Sequence, residues 1–380
     1  MCAEDLLCMA KELSKRFALR AAEVDRKGIF PEENFAELKE AGFLALTVPE
    51  EYGGQAISLY TLVRLLECLG EGDASTALSL GWHLGILMEL ATQRLWPEEK
   101  FASVCQEIVE SKKLINRIAT EPETGSPSRG GKPQTTAHKV KGGWKITGRK
   151  TFASMSYALD FLLVTATIKE TEEVGEFLLC QDMPGIRFDE TWDTLGMRGT
   201  VSHDVIFDDV FVPEDALLQI MDSSRNAKMG KGWLLHIPAC YLGIAKAAKN
   251  EALRFAEKYA PNSIKGSIKG LPHVERMVGE MELAYFTAQT LLHSIAKRWD
   301  ENVEDRKEME PDLAAVKYVV TNTACQIVDM AMRIVGGHSL YRSLPLERYY
   351  RDVRGGLHNP PMDDSTIRML AQKAWKEREE

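Results

Sequence analysis

Arg117-Ile118-Ala119-Thr120-Glu121-Pro122-Glu123-Thr124-Gly125-Ser126 is a strand-like run stopped by a proline and followed by a Gly-Ser pair. Pro122 has no amide hydrogen and biases Glu121 toward an extended backbone, so the strand is expected to end there. Gly125 lets a ligand approach the backbone closely, and Ser126 adds a hydroxyl beside free N–H groups. The combination suits an anionic ligand rich in hydrogen-bonding edges. Read alone, the same stretch is a solvated turn between strands.

On either side of this run the hydrophobic period changes. Residues 1–115 read as helices: Phe35–Gly42 is amphipathic with a glycine at its end, and Leu59–Leu69 and Leu78–Arg94 are longer apolar helical runs. In residues 116–225 the period falls to two. Ala137–Thr147 reads as a hairpin around Gly142-Gly143, and Phe161–Ile168, Glu176–Cys180 and Val205–Val212 as further strands. Residues 226–380 return to helix, with Trp233–Tyr259, His273–Asp300, Asp312–Val335 and Pro345–Arg354 long enough for an antiparallel bundle. The expectation is a multidomain α+β chain: an N-terminal helical domain, a middle antiparallel β domain and a C-terminal four-helix bundle.

Composition narrows the partners. The 380 residues exceed one ordinary core and suit two or three domains. A net charge of −9 argues against nucleic acid or an anionic membrane as the main partner, and no apolar run reaches the length of a membrane helix. The start, Met1-Cys2-Ala3-Glu4-Asp5, has no basic and apolar leader pattern. Seven scattered cysteines without CxxC spacing read as reduced thiols of a cytoplasmic protein, and no metal site is expected.

Four more segments follow a fixed order: Val48-Pro49-Glu50-Glu51-Tyr52-Gly53-Gly54, Lys150-Thr151-Phe152-Ala153-Ser154, Leu195-Gly196-Met197-Arg198-Gly199-Thr200, and Arg333-Ile334-Val335-Gly336-Gly337-His338 with Glu347–Asp352 after it. With Thr120-Glu121-Pro122 the series resembles the acyl-CoA dehydrogenase superfamily of flavoproteins over nearly the whole chain. The resemblance implies a flavin, FAD in most of the family. Ala119 and Thr120 would line its ring, Gly125 and Ser126 would reach its phosphates, and Phe152 would cover the ring. Ser154 would face its reactive nitrogen, and Gly336-Gly337 would serve the dinucleotide of a neighbouring subunit in a homotetramer or homodimer. Arg333 stands where the family commonly has Gln, and Ser339 where it has Gly. Asn262–Gly266 and Pro272 lack the usual pyrophosphate-gripping Arg and Gln, which leaves FMN as the alternative.

The family's catalytic carboxylate has no counterpart. Counting on from Arg351-Asp352, Pro360 takes the usual Glu position, and Trp233 takes the other position used in some relatives. His358 stands in that loop between Gly355-Gly356 and Pro360-Pro361, which present it at the surface of the loop; the plain alternative is an imidazole bonded to backbone. The superfamily's flavin monooxygenase branch has a similar Arg-Asp…His segment and a second His near the flavin, which His83 matches. Three readings follow. One is oxidation of a CH–CH bond of an acyl-CoA-type substrate with hydride transfer to flavin N5, His358 or Asp363 acting as base. Another is a monooxygenase using a flavin C4a-(hydro)peroxide with His83, Ser154 and His358 around it. The last is a scaffold that binds flavin or acyl groups without turnover. The substrate in each is a small, acyl-CoA-like or other apolar molecule, and the electron acceptor or flavin reductase is open.

Overall fold

The computed structural model describes residues 2–125, 131–221 and 230–379. Five helices form the N-terminal domain: α1 (Ala3–Lys27), α2 (Glu32–Glu40), α3 (Leu59–Gly72), α4 (Ala74–Gln93) and α5 (Glu98–Ser111). Their ends follow local chemistry. Cys2 and Asp5 form a reciprocal cap at the start of α1, Gly28 ends it at φ +63°, and Ser58 and Asp73 cap α3 and α4 through their side-chain oxygens. Helix α4 is apolar on nearly all sides because it lies between α3, the first strand and the C-terminal helices.

The middle domain is one eight-stranded sheet: β1 (Ile115–Ile118), β2 (Thr136–Val140), β3 (Gly143–Lys150), β4 (Phe161–Ile168), β5 (Val174–Cys180), β6 (Ile186–Asp189), β7 (Asp204–Pro213) and β8 (Leu217–Ile220). The spatial order is β6-β7-β3-β2-β4-β5-β8, with β1 also on β4. Most pairings are antiparallel, yet β1 and β2 both pair parallel to β4. They follow each other along one edge of that strand, β1 against Phe161–Val164 and β2 against Thr167–Ile168. The period-two pattern reports which face is buried and is silent on strand direction, so these parallel pairs were invisible in it. Strand β4 is buried at every position, as a central strand should be.

The C-terminal domain packs four helices, α6 (His236–Lys258), α7 (Pro272–Glu301), α8 (Glu310–Val335) and α10 (Asp363–Glu379), with the short α9 (Leu346–Val353) before the last. One apolar core runs through all three domains. All seven cysteines are free, and among the described residues no helix is long and apolar enough to cross a membrane.

Candidate active site

Two loops of the β domain build one wall of a cleft of about 410 Å³, lined by Thr151, Phe152, Trp192 and Ser202 among others. Strand β3 stops after Lys150, and β7 starts at Asp204, so both loops lie at one end of the sheet. Their backbone is unusual. Phe152, Met155, Met197 and Val201 all have φ between +43° and +69°, a region that non-glycine residues avoid and a β-branched one most of all. Non-glycine residues in this region cluster where surrounding structure enforces them, commonly at functional sites. Here the enforcement is a set of backbone bonds between the loops: Ala153 N–H donates to His203 O, Met155 to Thr200 O and Ser156 to Val201 O.

Hydroxyl groups line the strained segment. Ser154 Oγ lies 2.9 Å from Ser202 Oγ, which lies 2.9 Å from Thr200 Oγ1, and Thr200 donates to Met197 O at 2.9 Å. Asn116 on β1 donates through Nδ2 to Ser154 O, and its buried Oδ1 has no partner. Phe152 stands at the rim, 60% exposed, its ring edge-on to Trp192 at 6.0 Å. Ala119 and Thr120 continue β1 half-buried beside it, and Thr151 N–H donates to Thr120 O. The geometry therefore brings Ala119, Thr120, Phe152 and Ser154 together at one sheet end, with Asn116, Thr200 and Ser202 beside them. Sequence reading missed Asn116 and the Thr200–Ser202 pair. The only available signal was period two along β1, which puts Asn116 and Thr120 on the same face.

Glu121 explains why the proline-broken strand is stable. Glu121 lies between the end of β1 and the start of β2 and ties the two together. Its carboxylate accepts Gln134 N–H at 2.6 Å, Thr135 N–H at 3.0 Å and Lys150 Nζ at 2.7 Å. Burial alone would raise its pKa, but Lys150 and the N–H donors hold it down near 2. Lys150 directly precedes Thr151-Phe152, so the fully buried pair ties that loop to the Glu121-Pro122 turn, whose Pro122 and Glu123 also line the cleft. Gly125, at φ +69°, closes a tight turn by exchanging backbone bonds with Glu121. Ser126 lies outside the described residues.

A joint of all three domains sits next to this wall. Arg351 on α9 grips Asp25 of α1 with two bonds of 2.8 and 2.6 Å and donates to Leu195 O. Asp352 accepts Met197 N–H at 2.6 Å, and burial pushes its pKa up to about 7. Gly196 has to be glycine: a Cβ there would lie 2.4 Å from Arg351 backbone. The next loop carries His358. Gly355 and Gly356 lie against the buried Tyr241 ring at distances that leave no room for a Cβ, and Gly355 also abuts Met197. Tyr241 donates to Asn359 Oδ1 at 2.7 Å, which fixes the loop just beyond His358. The His358 imidazole is exposed and makes no side-chain hydrogen bond to any described residue. Asp363, the other candidate base, pairs with the buried Lys317 at 3.2 Å and accepts from Asn322 at 3.1 Å. Trp233 is buried with its indole N–H unpaired, stacked on His236.

His83 is not a cleft residue, which corrects the expectation that it would stand beside the cofactor. Its ring is buried, Nε2 donates to Leu44 O at 2.9 Å, and Nδ1 accepts Ile115 N–H at 3.1 Å. Both nitrogens are therefore spent on backbone, and desolvation lowers the pKa to about 4. A helical His at that position looked available because sequence cannot show which carbonyl or amide will pack onto it. Gly336 and Gly337 are exposed at the end of α8, with open space over both and the rings of Tyr259, His338 and Tyr341 nearby.

The chain matches three family models in order: acyl-CoA dehydrogenase N-terminal domain over residues 5–95, middle domain over 117–210, and C-terminal domain over 235–359. It belongs to the acyl-CoA dehydrogenase family. The Bacillus subtilis (strain 168) protein YdbM, which carries a provisional acyl-CoA dehydrogenase name, is 49% identical over 96% of this chain and 95% of its own length. Among solved structures, butyryl-CoA dehydrogenase from Megasphaera elsdenii superposes with a TM-score of 0.87 at 23% identity, covering 98% of this chain and 97% of that one. TdsC from Paenibacillus sp. A11-2, in complex with FMN and indole, gives 0.86 at 25% identity over 96% of this chain and 95% of its own. The three-domain architecture is thus that of the family.

Proposed function

We propose that this chain is a flavin-dependent monooxygenase built on the acyl-CoA dehydrogenase fold. The observation that carries the reading is the state of the loop after Asp352. Asp363 is held by Lys317 and Asn322, while the His358 imidazole is exposed and unbonded. Of the carboxylates nearer the cleft, Glu121, Asp204 and Asp352 are held by cations, hydroxyls or backbone, and Glu123 is exposed to solvent at the rim. Removing a proton from an acyl α-carbon needs a positioned base, and among the described residues Glu123 is the carboxylate at the cleft that no hydrogen bond positions.

The donor set fits a flavin. Phe152 offers an aromatic wall at the rim, Thr120 is half-buried beside it, Ser154 lies buried behind Ser202, and the buried, unpartnered Asn116 Oδ1 is an acceptor that a ring N–H would satisfy. Ala119, Thr120, Phe152 and Ser154 would hold the ring, and Gly125 and Ser126 the phosphate end. FMN is the form we favour, because Asn262, Pro272 and Arg333 replace the residues that would grip an adenosine half. The bound flavin supplies two electrons from its reduced form. One atom of dioxygen enters a small apolar substrate and the other leaves as water. His358 moves the proton, Phe152 keeps water off the ring, and the Tyr241–Asn359 bond holds the loop that carries His358.

A second reading keeps the dehydrogenase reaction, with His358 as the base. The three matching family models and the unbonded imidazole favour it. The test is heavy-isotope dioxygen supplied with a flavin reductase and a panel of small apolar sulfur, nitrogen and aromatic compounds. Heavy oxygen in a product is the expected result. Conversion of an acyl-CoA to its enoyl form with no oxygen consumed would overturn it. Assembly belongs to the same proposal: Leu283 and Phe286 on α7 and Leu340 and Tyr341 beyond α8 are exposed, which suits a dimer or tetramer. Sedimentation at the mass of a single 42.6 kDa chain would contradict that.

A further inference from the structure

Trp192 enters the cleft wall from a segment that no strand ladder holds. Residues 190–196, between β6 and β7, have no regular structure, and Thr191, Trp192 and Thr194 line the cleft from it. Side chains hold the segment instead. Thr191 Oγ1 donates to Asp204 Oδ1 at 3.0 Å, and the Trp192 indole N–H donates to Met197 O at 3.3 Å. The backbone N–H of Trp192 donates to Nδ1 of His203 at 3.1 Å. A backbone N–H can only donate, so Nδ1 carries a bare lone pair and the proton of the neutral ring sits on Nε2. His203 itself is tied to the Phe152 loop. Its N–H donates to Ser156 Oγ at 2.9 Å, its carbonyl accepts Ala153 N–H at 3.1 Å, and its ring packs on Tyr157 at 5.3 Å. One imidazole nitrogen therefore joins the two loops that carry the aromatic rings of the cleft.

We infer that His203 is a positioning residue: its neutral ring latches Trp192 beside Phe152, and proton uptake by that ring releases this wall of the cleft. Protonation puts a hydrogen on Nδ1. Two N–H groups then face each other across 3.1 Å, and an attraction becomes a repulsion. The other anchor of Trp192, at 3.3 Å, goes to a carbonyl that also accepts Thr200 N–H and Thr200 Oγ1. That shared, longer bond is a poor substitute, so the edge-on contact of Trp192 with Phe152 at 6.0 Å loses its support. The surroundings set where the latch works. Burial lowers the His203 pKa below its ordinary 6.5, while Glu190 and Asp204 pull it upward. Asp204 is committed to Arg149 at 2.7 Å, and Glu190 accepts the Tyr157 hydroxyl at 3.3 Å. The latch is closed at pH 7 and opens as pH falls below 6.5. A ligand in this cleft is held at neutral pH and weakened in mild acid.

The effect on a ligand rests on the flavin reading of the cleft, and two readouts separate that reading from the latch. The first is acrylamide quenching of Trp192 fluorescence in the flavin-free protein, isolated from the other tryptophans by difference with Trp192→Phe. Quenching of the wild type should rise as pH falls from 8 to 5. His203→Asn places an oxygen acceptor where Nδ1 stood and does not titrate, so its quenching should stay low throughout. His203→Ala has no acceptor and should be high throughout. The second readout is affinity for FMN over the same range. The wild type and His203→Asn should match at pH 8. At pH 5 the wild type should be several-fold weaker, up to about the tenfold that one hydrogen bond is worth. That ratio cancels the titration of the FMN phosphate. Quenching that ignores pH in the wild type, or that follows pH in His203→Asn as well, would overturn the inference. An FMN affinity ratio that stays at one while quenching changes would overturn it too, since Trp192 would then position nothing. Quenching that behaves as expected in a protein that binds neither FMN nor FAD would leave the latch standing and overturn the flavin reading.

Discussion

The segment from Leu195 to Ser202 does two different jobs within a few residues. Its first half meets the rest of the molecule through charge: Arg351 clamps Asp25 and reaches Leu195 O, Arg198 donates to Asp25 O, and Asp352 caps Met197 N–H. Its second half, Thr200 to Ser202, carries neutral hydroxyls and no ion pair. The contrast follows from what each half must tolerate. A domain joint keeps its partners permanently, so full charges can be matched and desolvated once. A cleft wall has no permanent partner. Neutral hydroxyls leave no buried charge stranded when such a partner is absent. Substitutions should therefore separate cleanly, joint residues governing stability and wall residues governing ligand preference.

The largest effect is expected at the joint. Arg351→Ala leaves Asp25 and Glu347 without their cation and Leu195 O without a donor. Breaking such a part-buried pair from one side costs about 3–5 kcal/mol. Thermal or urea denaturation should show it, whereas Ser202→Ala should cost only about 1 kcal/mol in the same assay. A comparable loss from both would erase the distinction between the two halves.

Next comes acid. The buried rings of His83 and His236 both have pKa values lowered from 6.5 to about 4, desolvation being the main cause. An unfolded chain protonates these imidazoles near pH 6.5, while the folded one resists down to about pH 4. Their contribution is full above the higher value and is lost as pH falls toward the lower, with each ring worth on the order of 3 kcal/mol. His83→Ala should flatten that slope and lower stability at pH 7, because Ile115 N–H and Leu44 O lose their link. A slope identical to the wild type would contradict the buried, neutral imidazole.

Asp352 behaves in the opposite sense. Its pKa is raised from 3.8 to about 7 by burial, so its contribution is present below the lower value and is lost as pH rises through the higher. Asp352→Asn keeps an acceptor for Met197 N–H and removes the buried charge. At pH 8 the variant should exceed the wild type in stability, by up to about 4 kcal/mol, while at pH 4 the two should be alike within error. Strong destabilisation at pH 8 would show that the joint needs the charge itself.

Much of the architecture was legible because it is periodic. Helix–sheet–helix order, the hairpin at Gly142-Gly143 and the long C-terminal helices follow from spacing alone, and the strand stop at Pro122 from its missing N–H. The site was legible only where a motif marked it. Thr120, Phe152 and Ser154 could be named, while Asn116, Thr200 and Ser202 could not, since their importance comes from contacts made across 38 to 48 residues of chain. His83 failed for the same reason in reverse. The family resemblance put it beside the flavin, and the fold closed a carbonyl and an amide onto it.

The central claim is that the family fold here carries oxygen chemistry without a carboxylate base. Its most direct test is anaerobic mixing of the flavin-loaded protein, oxidised, with acyl-CoA thioesters from short to long chain. The flavin absorbance should stay unchanged with every one, in the wild type and in His358→Ala alike. Rapid bleaching by any of them, slowed in His358→Ala, would contradict the account and establish a dehydrogenase that uses histidine as its base.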